Sequence, residues 1–118
     1  MPVHFAGLSC RAKEIKIAAG NRIVIEDASH SFGGMYECGS KIVSCKFSDM
    51  TVFSFHPVKP FTTGEGGVVT TNNPDFARKL KLFRNHGIER NPDHYKYTEH
   101  SKDRWYYEQQ YLGFNYRL

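Results

Sequence analysis

With 118 residues, 40% of them hydrophobic and 24% charged, the chain has the composition of an ordinary soluble protein and enough length for one modest core. No run approaches the ~20 apolar residues of a membrane span, and residues 1–5 lack the charged-then-apolar order of a signal peptide, so a cytoplasmic location is expected. The net charge of +4 is scattered, and its densest cluster (Arg78, Lys79, Lys81, Arg84) falls on one predicted helix, which reads as a solvated face and not as a nucleic-acid surface. Three cysteines without a CxxC give no disulfide framework, and no His or Cys pair has zinc-ligand spacing, so no metal is expected.

Residues 2–6 are a short apolar piece that could end a buried strand. Ser9 is a candidate cap for a helix over residues 10–19, with Ala12, Ile15 and Ala19 on one face and Gly20-Asn21 as its stop. Residues 22–26 contain Ile23-Val24-Ile25, a continuous apolar run typical of a parallel strand buried on both faces. Asp27 and His30 follow at its carboxyl end, where ligands bind in open α/β sheets. Gly33-Gly34 and Gly39-Ser40 mark loops. Residues 50–55 form the next predicted strand, stopped by Pro57. After the glycine-rich turn at 62–67, residues 68–71 return as a strand, giving a hairpin-like pair. A helix then starts at Asn73 (cap) and Pro74 (first position) and ends before Gly87, with Phe76, Leu80 and Phe83 as its core stripe. Residues 94–107 have no clean period and read as a loop or insertion. Residues 108–112 are expected to begin a short helix.

Four side chains sit where chemistry could occur. Asp27 offers a carboxylate at a strand end and His30 follows three residues later. Lys59 lies just after the buried strand, and Ser54 is five residues before it on that strand. Singly, each has a plain reading: a loop cap, a satisfied structural histidine, a lysine snorkelling to solvent, an ordinary serine. Together they match the needs of pyridoxal phosphate (PLP). Its aldehyde needs an amine, its pyridine nitrogen a carboxylate, and its phosphate hydroxyls and backbone N–H groups.

The strings IEDASHSFGG (25–34), TVFSFHPVKPFTTGEGGVVTTN (51–72), LFRNHGI (82–88) and GFNYRL (113–118), in that order, resemble the DegT/StrS family of PLP-dependent sugar-nucleotide aminotransferases. The DASH and HPVK wording is most similar to the members serving pseudaminic acid biosynthesis. The resemblance implies an α/β fold, with residues 1–118 as a fragment of the PLP-binding large domain of a fold-type I aminotransferase, a mostly parallel sheet flanked by helices. It implies amino transfer from glutamate to a nucleotide-linked 4-keto-6-deoxy sugar, in a homodimer with shared active sites and without nucleic-acid or membrane partners. By position, Lys59 resembles the lysine that condenses with the cofactor and Asp27 the partner of the pyridine nitrogen. His30 resembles the residue lying against the ring, Ser54 a phosphate ligand, and Asn115 the asparagine that reaches the phosphate in the neighbouring subunit. The chain is short for that two-domain fold, so the fragment itself is expected to be poorly active. The alternatives are a non-catalytic truncated PLP-fold domain and a sugar dehydratase relative. The dehydratases carry histidine in place of the lysine, and Lys59 argues for amino transfer.

Overall fold

A computed structural model describes residues 1–97 and 99–116, which divide into two compact units, Met1–Pro74 and Asp75–Leu118. The first unit is a sheet of three strands in the order β1-β2-β3, with β1 at Ile25–Asp27, β2 at Met50–Ser54 and β3 at Gly67–Thr70. β1 and β2 are parallel, pairing Asp27 with Val52, and β2 and β3 are antiparallel, pairing Ser54 with Gly67. On the other side of β1, Val3 forms a single parallel bridge to Asp27, but Val3 and Phe5 are exposed, so residues 2–6 flank the sheet and are not the end of a buried strand that the sequence suggested. They then turn into a 3-10 segment, Phe5–Gly7. The α/β architecture and the 50–71 hairpin are therefore as expected.

α1 (Ala12–Ala19) begins two residues later than the sequence suggested, with Ala12 buried and Ile15 and Ala19 half-buried. Ser9 does not cap it: its hydroxyl donates to the Cys10 carbonyl, and Arg11 holds the cap position without a side-chain bond. β1 is also shifted. Ile23 is 60% exposed, Val24 is buried, and the fully buried strand residue is Glu26, so the apolar run is not the strand's core. Asp49 explains the shift. Its carboxylate takes the Val24 N–H at 2.8 Å and Lys16 Nζ at 2.9 Å, and its N–H donates to the Val24 carbonyl, so the strand ladder starts only at Ile25.

The core of this unit joins Ala12, Ala28, Tyr36, Ile42 and Phe53. Burying the Phe53 side chain contributes about 2–3 kcal/mol. Behind the sheet, Cys45 adopts φ 52° and its thiol reaches Thr51 Oγ1 at 3.4 Å and Thr70 Oγ1 at 3.1 Å. That contact binds the loop before β2 to both later strands.

In the second unit, α2 (Pro74–Arg84) has Pro74 in its first turn, as expected. Its inward residue is Leu82, whereas Phe76 and Leu80 are half-buried and Phe83 is 38% exposed, so the Phe/Leu stripe is only partly core. His86 and Gly87 take positive φ (57° and 70°) and end the helix, the Gly87 N–H donating to the Leu82 carbonyl at 2.7 Å. β4 (Ile88–Glu89) pairs antiparallel with β5 (Glu108–Gln109). The helix expected over 108–112 is thus a strand, because Glu108 is drawn inside as an acceptor. It takes the N–H groups of Lys96 and Tyr97 at 2.8 Å each and the Tyr106 hydroxyl at 3.1 Å. Residues 94–97 and 99–107 form the expected loop, apart from a 3-10 turn at Pro92–His94 that reaches into its start. Thr98 in that loop, and Arg117 and Leu118 of the GFNYRL string, lie outside the described residues. Among the described residues, no helix is long and apolar enough to cross a membrane.

Candidate active site

Asp27 is the last residue of β1, and its backbone is held from one side by residues 2–4. Its N–H donates to the Pro2 carbonyl and its carbonyl accepts the His4 N–H, each at 2.9 Å. Its Oδ1 accepts the Ser29 N–H at 2.9 Å. Hydrogen bonding from Ser29 comes first in holding the Asp27 carboxyl below the ordinary carboxylate range. Partial burial opposes it, and the charges of His30 and Lys59 add to it. Asp27 is therefore ionised at neutral pH and within electrostatic reach of both side chains.

His30 and Lys59 line one open cleft of about 400 Å³ with Ala6, Gly7, Val58 and Pro60. The wall formed by Ala6 and Gly7 uses left-handed backbone at both residues (φ 52° and 84°), and the Phe5 ring packs 5.1 Å from that of His30. A separate hollow of about 360 Å³, whose lining includes Cys10, Tyr36, Cys38 and Phe47, holds none of the four chemical side chains.

Local bonds fix the segment that carries Lys59. The Ser54 hydroxyl accepts the His56 N–H at 3.4 Å, His56 Nδ1 accepts the Val58 N–H at 3.2 Å, and the His56 carbonyl accepts the Lys59 N–H at 2.9 Å. The loop then closes on Phe55, whose carbonyl accepts the Thr62 hydroxyl at 2.8 Å and the Thr63 N–H at 3.1 Å. An aromatic cluster joins this loop to the one after β1. The Phe32 ring stacks on Phe61 at 5.2 Å and meets Phe53 and Phe55 edge-on at 5.5 and 5.3 Å. The glycine-rich turn serves the hairpin: a Cβ on Gly67 would stand 2.7 Å from the Phe53 carbonyl oxygen, beside Ser54 in register.

Four of the five residues read from the sequence (Asp27, His30, Ser54, Lys59) thus lie in the first unit, at or just beyond the carboxyl ends of β1 and β2. The structure brings His30 and Lys59 to one cleft and Asp27 within reach of their charge. Ser54 is half-buried at the end of β2 and is not among the residues lining the cleft. Asn115 lies in the second unit, where it bridges Asn85 in antiparallel fashion.

The sequence reading passed over Glu26 and His4, both fully buried, and over the anchoring roles of Phe32, His56 and Phe61. Glu26 had one signal: a carboxylate inside an apolar strand, which must find partners or cost several kcal/mol.

A model of the DegT/DnrJ/EryC1/StrS aminotransferase family matches residues 1–118. An uncharacterized protein of Methanocaldococcus jannaschii is 46% identical over 120 residues, covering 100% of this chain and 30% of its own length. A UDP-4-amino-4,6-dideoxy-N-acetyl-beta-L-altrosamine transaminase of Campylobacter jejuni is 42% identical over 118 residues, covering 98% and 28%. Among solved structures, Helicobacter pylori PseC, an aminotransferase involved in the biosynthesis of pseudoaminic acid, superposes with a TM-score of 0.80 at 34% identity, over 98% of this chain and 28% of that one. NtdA of Bacillus subtilis, with bound cofactor PMP, gives a TM-score of 0.70 at 28% identity, over 96% and 22%. The chain spans 28–30% of the length of these curated relatives.

Proposed function

The chain belongs to the DegT/DnrJ/EryC1/StrS aminotransferase family, and from that premise we propose that it is the cofactor-binding segment of an enzyme that moves an amino group from glutamate to a UDP-linked 4-keto-6-deoxy sugar. The observation that carries the reading is that an amine (Lys59) and an imidazole (His30) line one cleft, with an ionised carboxylate (Asp27) in reach of both charges. These residue types fit pyridoxal phosphate, which supplies an electron sink when bound. Lys59 would hold the cofactor covalently and afterwards, as a free amine, carry a proton between the carbons on either side of the transferred nitrogen. Asp27 would keep the pyridine nitrogen protonated, a task for which its lowered proton affinity suits it. His30 would lie against the ring, and Ser54 would donate its O–H to the phosphate while its oxygen accepts the His56 N–H. Asn115 would reach the phosphate held by a second copy of the protein. Two relatives support the sugar: the Campylobacter protein is a transaminase of a UDP-4-amino sugar, and PseC is involved in the biosynthesis of pseudoaminic acid.

The test is made in the whole protein, with glutamate and a UDP-linked 4-keto sugar as substrates. Mass spectrometry is expected to find the 4-amino sugar together with 2-oxoglutarate. A product that has lost a hydroxyl without gaining nitrogen would give the protein to the dehydratases instead.

A further inference from the structure

Glu26 is the neighbour of Asp27 in β1 and therefore faces the other side of the sheet. It is 0% exposed, and its Oε2 accepts three hydroxyls: Tyr36 at 2.7 Å, Ser48 at 3.0 Å and Thr51 at 3.0 Å. Burial pushes its carboxyl up, but the nearby His4 ring and the hydroxyl hydrogen bonds of Tyr36, Ser48 and Thr51 outweigh it and leave Glu26 below the ordinary range, hence ionised. Burial first, and then the Glu26 carboxylate, push Tyr36 well above an ordinary tyrosine, so its hydroxyl remains a donor. A buried anion with this many fixed donors is a poor choice for stability alone, since an apolar side chain of similar volume often does as well.

What the anion holds is His4, which is also 0% exposed. His4 Nδ1 accepts the Cys10 N–H at 3.2 Å, which leaves the ring proton on Nε2, 3.6 Å from Glu26 Oε2. That spacing is long for a hydrogen bond, so the contact is mainly electrostatic. The backbone of His4 brackets the segment that faces the cleft. Its N–H donates to the Asp27 carbonyl at 2.9 Å and its carbonyl accepts the Ser31 hydroxyl at 2.8 Å. Residues 27 and 31 flank Ser29 and His30.

We propose that Glu26 is a positioning residue that acts from behind the sheet through His4, fixing residues 27–31 so that Asp27 keeps its Ser29 hydrogen bond and, with His30, is presented to the cleft. The use made of that presentation rests on the aminotransferase reading above; the positioning itself is a property of this chain.

Charge and position predict opposite signs, which makes the proposal testable. The groups acting on Asp27 are Ser29, His30 and Lys59. Removing the Glu26 charge by itself would lower the Asp27 titration midpoint, because a nearby negative charge is lost. Loss of position loosens the Ser29 bond and raises the midpoint. The experiment is a carboxyl-carbon NMR titration of Asp27 in the 118-residue chain and in its Glu26→Gln and Ser48→Ala variants. The expected result is an upward shift in E26Q and a smaller upward shift in S48A, with exchange of the Asp27 amide about tenfold faster in E26Q. A midpoint that falls or stays fixed in E26Q, with only thermal stability reduced, would make Glu26 merely structural and overturn the proposal. Should E26Q fail to fold, S48A decides, because Ser48 is only half-buried and the variant leaves the Tyr36 and Thr51 donors in place; an unshifted Asp27 there also overturns it. Covalent capture of pyridoxal phosphate at Lys59 is read separately in the wild-type chain. Its failure would remove the cofactor reading and leave the Asp27 titrations to decide the positioning.

Discussion

Arginine at position 59 would keep a positive charge beside Asp27, yet a guanidinium stays protonated and cannot condense with an aldehyde. Lys59→Arg in the whole protein is therefore expected to retain the fold and to lose amino transfer by roughly 10²–10⁴-fold or more, read as initial rate of 2-oxoglutarate release. A K59R variant within threefold of wild type would show that the amine is not the reacting group. Asp27 carries a pH signature of its own. Its folded-state proton affinity is lowered, so its contribution to stability is fully present above the ordinary aspartate value, near pH 4, and is lost as pH falls through the lower folded value. Asp27→Asn should remove that part of the acid-side dependence; an unchanged acid limb in thermal melts would contradict the assignment. At this scale the sequence exposed the residues whose type is diagnostic, a lysine and an aspartate at strand ends. It hid Glu26 and His4, because their roles come from partners on other segments (Tyr36, Cys10) that no local pattern announces.

Elements with strong local punctuation were legible: Pro74 and Gly87 bound α2, and Pro57 with the glycine-rich turn bounds the β2–β3 hairpin. β5 was not legible. Glu108-Gln109-Gln110 has good helix propensity, but Glu108 is required inside as an acceptor and tertiary context overrides the preference. Burial pushes the Glu108 carboxyl up, and the N–H groups of Lys96 and Tyr97, with Gln110 and Tyr106, more than reverse this and bring it to about 2. The loop over residues 95–108 is thus expected to hold its structure above the ordinary glutamate value and to loosen as pH falls from about 4 toward 2, seen as loss of Lys96 and Tyr97 amide protection. Protection retained at pH 2 would argue against the network. Gly87 and Gly113, whose backbones approach each other, leave no room for a side chain in this unit. The φ of Gly87 is 70°, and an added Cβ would collide with the Tyr111 carbonyl. Gly87→Ala should cost about 2 kcal/mol or more, measured by denaturant unfolding. A cost below half of that would mean that the 83–88 and 111–116 segments can separate freely.

Across the whole molecule, the family relationship and the α/β sheet were readable from ordered motifs spread over some 90 positions, whereas strand boundaries, set by Asp49 and Glu26 side chains, were not. The chain spans 28–30% of its relatives' length, and the proposed site draws one residue, Asn115, from a second copy. The 118-residue chain alone, supplied with glutamate, pyridoxal phosphate and a keto sugar nucleotide, is therefore expected to turn over far below the ~1 s⁻¹ lower end of ordinary enzymes. The whole account turns on one amine meeting one aldehyde. The measurement that tests it most directly is borohydride reduction of the protein after addition of pyridoxal phosphate, followed by peptide mapping. The account predicts a pyridoxyl group on Lys59. A pyridoxyl group on a different lysine, or on none, would contradict it.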